Sequence, residues 1–169
     1  GSGSAAIAIN GGSFNGYVND NGSNDKMRPG CAVVKGGTFN FDPTPWVAEG
    51  YKAMENDGKY VVVPADDEVE DVVVVGTAQD LMDALNSLVA GNMVVLEKDI
   101  NLTGEEWSVS MPWQGSATDV IFDGNGHKII GLSTTGLQGG LLGKYNSNGN
   151  ITIKDLTLVD VTITGTNVD

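Results

Sequence analysis

A short repeat constrains this chain more than any other feature. Ala6 to Phe14 reads AIAINGGSF and Cys31 to Phe39 reads CAVVKGGTF, superposing position for position at an offset of 25 residues (31 − 6) with Gly-Gly and Phe held fixed. One structural unit used twice at such a period points to stacked coils. Farther on, Asp119 to Phe122 (DVIF) leads through Asp123-Gly124-Asn125-Gly126 into Lys128 to Leu132 (KIIGL), and Ile151 to Ile163 reads ITIKDLTLVDVTI. There Ile151 and Ile153, Leu156 and Leu158, and Val161 and Ile163 form three alternating pairs broken every five residues. Pieces this short, separated by Gly, Asn and Asp, make poor sandwich strands and suitable rungs of a solenoid. The 24 glycines, roughly twice average usage, then have a mechanical cause, since Gly and Asn supply left-handed corners.

One segment differs. Thr77 is a good N-cap, Leu81, Leu85 and Leu88 recur at i, i+4 and i+7, and Gly91-Asn92 offers a stop, so the spacing predicts an amphipathic helix over about 77–90. Met93 to Leu96, Ile100 and Leu102 follow as a first strand pair. A solenoid end exposes an apolar rung and unpaired backbone, so a helix just before the first rung reads as its cap. The fold class expected is therefore all-β, a parallel β-helix with one short capping helix.

Two stretches carry a resemblance. The run TAQDLMDALNSLVAGNMVVLEKDINLTGEEW, with DVIFDGNGHKIIGL, GGLLGKY and NITIKDLTLVDVTITG, resembles the opening of right-handed, pectate-lyase-like parallel β-helix domains of bacterial surface proteins and phage structural proteins. GGTFNFDPTPWVAEGYKAMENDGKYVVVP resembles their closing segment, a last coil and a terminal hairpin. The resemblance implies a right-handed solenoid, and the order is inverted: closing coils and hairpin in 1–64, an acidic linker in 65–71, then capping helix and opening coils in 72–169. Both ends of the chain would lie in mid-coil, with Ile7 and Ile9 at one open end and Val161 and Ile163 at the other. The halves can complete one solenoid within a chain, because a linker of about 26 Å just spans five coils of roughly 24 Å. They can equally do so between chains, head to tail.

Nine Lys plus Arg against 22 Asp plus Glu leave a formal charge of −13, which repels phosphate backbones and anionic headgroups. Nucleic acid and membrane insertion are not expected; self-association is, with surface glycans as a further partner. No apolar run approaches the length of about 18 residues needed to span a bilayer, and the start of the chain lacks a basic region followed by an apolar core. A soluble protein displayed on a bacterial surface or virion is the expectation, any export signal having been removed or never present. Cys31, the single cysteine, cannot form an internal disulfide and reads as a small buried residue. No cofactor is expected; calcium is the ion that the acidic run with Asp66, Asp67 and Asp71 would suit, although no loop has the D-x-D-x-D-G spacing.

Catalytic sets are hard to assemble from these residues. β-Helix enzymes that cleave acidic polysaccharides use a basic residue, and the one Arg here is Arg28. Asp119 and Asp123, at opposite ends of a short strand, would stand about 13 Å apart, beyond the separation for glycoside hydrolysis. Asp123 reads as a cap on the Asn125-Gly126 turn, Asp155 and Asp160 as coil corners, and His127 as part of the GNGH turn. Trp107, Trp113 and Trp46 could stack on sugar. The leading expectation is a non-catalytic structural or adhesive solenoid; a carbohydrate-binding module and a polysaccharide-degrading enzyme are the alternatives.

Overall fold

The computed structural model describes residues 7–16, 32–89, 91–109, 119–136, 140–143 and 150–165. The chain divides into two compact units, residues 1–68 and 69–169.

The repeat builds the first unit. Strands β1 (Ile7–Phe14) and β2 (Ala32–Phe39) run parallel, with Ile7 opposite Ala32, Ile9 opposite Val34 and Phe14 opposite Phe39. Equivalent residues of the repeat therefore stack on one another: the Phe14 and Phe39 rings lie 5.0 Å apart and nearly parallel, and the Thr38 hydroxyl donates to Ser13 Oγ at 2.9 Å. The Gly-Gly pairs bulge the ladder. At Gly36 they are obligatory, because a Cβ there would stand 2.5 Å from the Asn10 carbonyl oxygen of the neighbouring coil. After β2 a 3-10 turn at Thr44–Trp46 delivers Trp46 to the core. Asp42 accepts from the Thr44 hydroxyl and amide at the start of that turn, which holds its carboxyl below the usual carboxylate range. A hairpin, β3 (Tyr51–Asn56) and β4 (Lys59–Pro64), closes the unit. Asp57 and Gly58 both take positive φ, as a two-residue hairpin turn requires. Strand β4 pairs antiparallel with β2, giving the order β1-β2-β4-β3.

The second unit is a parallel β-solenoid. Strand β5 (Asp71–Val75) leads into helix α1 (Ala78–Asn86), then β6 (Asn92–Leu96) and β7 (Ile100–Asn101). The next coil carries β8 (Val120–Asp123), β9 (Lys128–Ile130) and β10 (Ser133–Thr135), and the last β11 (Ile151–Lys154), β12 (Thr157–Val159) and β13 (Thr162–Thr164). Like strands stack in register into three parallel sheets, β11-β8-β6-β5, β12-β9-β7 and β10-β13. Successive coils are bridged by side chains 29 to 31 positions apart. The inward ladders are apolar, Val94 on Phe122 in the first sheet and Ile100 on Ile129 in the second, all fully buried.

Helix α1 occupies the first coil between β5 and β6, where no strand of the other two sheets precedes β7 and β10 among the described residues. It lays Leu81, Ala84 and Leu85 into the core, and Leu88, just beyond its end, joins them. Thr77 caps it by accepting from the Asp80 amide. The helix ends four residues earlier than the spacing predicts, at Asn86, because the Ser87 hydroxyl donates to the Asp83 carbonyl and Gly91 then turns the chain at φ 74°. The acidic run is likewise not a free linker to its end. Val69 is buried, and the Glu70 amide already donates to the Gly91 carbonyl of the second unit.

Corners set the coil spacing. Asn125, Asp155 and Asp160 take left-handed φ near 50°, and a Cβ on Gly124 would lie 2.5 Å from both the Asp155 carbonyl oxygen and Leu156 Cα. Both atoms are backbone and cannot swing away, so Gly124→Ala is expected to destabilise the unit by about 2 kcal/mol and lower Tm by roughly 5 °C, read by far-UV circular dichroism. An unshifted melt would mean that these two coils have slack between them.

Candidate functional site

The side chains that could carry chemistry are mostly engaged between coils. Asp123 Oδ1 accepts from the Asn125 amide at 2.7 Å, capping its turn as expected, and Oδ2 lies 3.3 Å from Lys154 Nζ on the next coil. Asp119 Oδ1 accepts from Asn150 Nδ2 at 2.9 Å. His127 Nδ1 stands 3.4 Å from Asp99 Oδ1, an oxygen that also accepts from the Lys128 amide. The buried Asn125 side chain donates to the Leu96 carbonyl at 3.2 Å. Apart from the Asp123–Asn125 cap, each of these contacts links one coil to its neighbour, which satisfies polar groups that stacking would otherwise strand.

Of the three tryptophans, two are packed. Trp46 is buried, edge-on to Phe41 with centroids 6.3 Å apart. Trp107 packs against the solenoid core, and its Nε1 donates to the Leu141 carbonyl at 3.0 Å. Trp113, Cys31 and Arg28 lie outside the described residues. Asp66 is exposed, Asp67 offers its carbonyl to Lys52 Nζ, and Asp71 Oδ1 accepts from the Val72 amide. Among the described residues no three His, Cys, Asp or Glu side chains are grouped as a metal ion would need.

The apolar ends tell a different story. Ile153 stands in register on Phe122 and Leu158 on Ile129, residues that are fully buried; Ile163 stands on buried Thr134. Yet these upper residues are 47%, 46% and 54% exposed, and Val161 is 36% exposed. They point inward like the ladders beneath them, and each is covered on one side alone. Val161 and Ile163 are the residues that the inverted order of the resembled segments puts at an open end; Ile153 and Leu158 are exposed beside them. In the first unit Ile7, opposite Ala32, is 50% exposed, whereas Ile9 is not an exposed end: it packs with Ala32, Val34 and Phe39. Among the described residues β1, β11, β12 and β13 are all edge strands.

No protein-family model matches the chain, and neither the curated proteins nor the solved structures contain a match.

Because the Trp107 indole serves the interior, Trp107→Phe, which removes the N–H and strands the Leu141 carbonyl, is expected to cost about 1 kcal/mol, read by denaturant titration. Lost retention on a glycan array with an unchanged unfolding curve would instead place that ring in a binding surface.

Proposed function

We propose that this chain is a structural or adhesive β-solenoid, displayed on a bacterial surface or a virion, whose task is assembly through its open coil ends. The observation that carries the reading is the last coil of the second unit. Ile153 and Leu158 continue apolar ladders, Ile163 stands on Thr134, and among the described residues all three have one side uncovered. Covering a half-exposed aliphatic side chain is worth on the order of 1 kcal/mol, so another coil laid on this end gains several kcal/mol before any backbone pairing. The edge strands beside them present unpaired N–H and C=O groups, which favour a further strand over water-facing isolation. The extracellular setting is supported by the resemblance of the coil motifs to surface and virion solenoids and by the charge of −13, which suits neither nucleic acid nor an anionic membrane. No helix among the described residues is long and apolar enough to cross a membrane.

Light scattering behind a size-exclusion column, over a concentration series, tests the reading. The expected result is a mass well above 17.6 kDa that grows with concentration. Ile153→Lys, which places a charge on the open end without emptying a closed core, is expected to return the protein to single chains with its melting curve largely retained. A constant mass of one chain for the unmutated protein at every concentration would overturn the proposal.

A further inference from the structure

Resting on that reading, we infer that the partner of the open coil is the first unit of a second copy of this chain, joined by parallel pairing of β11 with β1 in one register: Ile151 beside Ile7 and Ile153 beside Ile9. Three observations fix it. Both strands are parallel-sheet edges, β11 beyond β8 and β1 beyond β2. Their alternation is in phase, Ile-Thr-Ile-Lys against Ile-Ala-Ile-Asn. In that register the inward ladder of the second unit, Phe122 then Ile153, runs on into Ile9 and Val34, while Val120 and Ile151 run on into Ile7 and Ala32. The flanking members Phe122, Val120, Val34 and Ala32 are already buried; at the join Ile7 and Ile153 are each about half exposed, while Ile9, the residue set beside Ile153, is already buried within its own unit, so the apolar surface gained is chiefly that of Ile7 and Ile153. A slip of one residue would turn every Ile outward, so the apolar pattern itself rejects it.

The corner agrees. Gly36 is glycine because the Asn10 carbonyl of the preceding coil occupies the place of its Cβ. Gly11 holds the same position of the repeat one coil earlier, which leaves the same clearance for the carbonyl of Lys154, the residue that the register sets beside Asn10. The contact is heterologous, the end of one chain against the beginning of the next, so it closes a ring or extends as a filament.

Single-cysteine chains test the register and the copy together. In a Cys31→Ser background, Thr152→Cys and Ala8→Cys each put one thiol on an exposed, outward position. Neighbouring strands about 4.8 Å apart bring those Cα atoms within disulfide range, and a bond between the two can form only between copies. Mixed and oxidised with copper phenanthroline, the pair is expected to give a main band at twice 17.6 kDa containing the 152–8 linked peptide. Thr164→Cys mixed with Ala8→Cys is expected to give little. A main product linked 152–152 or 164–8 overturns the register, and leaves assembly standing if the light-scattering mass is large. If a chain carrying both cysteines closes on itself while the mixture stays unlinked, the second copy is overturned. Chains that remain at the mass of one copy throughout remove both proposals. Should either variant melt early, Asn10→Cys with Lys154→Cys reads the same register one outward pair along.

Discussion

Both units depend on one constraint: the backbone of each coil must lie about 4.8 Å from the next at the corners as well as along the strands. Strands accept that spacing readily, since the hydrogen bonds demand it. Corners do not, because a turn bulges and its side chains point along the stack as well as outward. The chain meets the constraint with residues that occupy little volume or tolerate left-handed φ, Gly36 and Gly124 for clearance and Asn125, Asp155 and Asp160 for the turn. The same short polar side chains then satisfy the backbone they crowd, as Asp123 does for the Asn125 amide and Asn125 for the Leu96 carbonyl.

A stack with this geometry has no natural end, and the chain treats its ends in three ways. Helix α1 replaces two sides of the first coil and fills the space with Leu81, Ala84 and Leu85, with Leu88 just past its end. The β3–β4 hairpin turns the strand direction around at β2, so that the pairing sequence stops in a different geometry from the one that a further coil would copy. At β11 to β13 neither device is present among the described residues, and the apolar side chains there are half covered.

Much of this was legible in the sequence, for identifiable reasons. The repeat at offset 25 put Phe14 on Phe39, and the Leu81, Leu85, Leu88 spacing located the helix, because both are periodic signals that packing reinforces. The helix boundary was not legible, since it turns on the Ser87 hydroxyl competing for a main-chain carbonyl. Nor was the place of the tryptophans: an indole near a Pro-containing turn reads equally as a sugar platform or a core filler until its N–H is seen to reach Leu141. Bridges such as Asp99 to Lys128 join residues whose only relation in the sequence is one coil's length, and the coil lengths vary. For Ile9 the alternation was right and the exposure wrong, as the ends of a strand and its middle are covered by different neighbours.

The three sheets of the second unit do not pair over equal lengths. The first sheet joins β5 to β6 over Asp71–Val75 and Asn92–Leu96, whereas the third joins β10 to β13 over Ser133–Thr135 and Thr162–Thr164. Within a coil a pull is carried by covalent backbone, but along the stack it is carried by hydrogen bonds and side-chain contacts between neighbours alone. Tension applied along the stack therefore falls on the junctions in series, while the sheets crossing one junction share it, and the junction with the fewest paired residues yields before the others. Such a body resists stretching around its girth far better than along its length, and under load it parts where β6 and β7 meet β8 and β9 over three and two residue pairs, before the last coil, which is held over four, three and three.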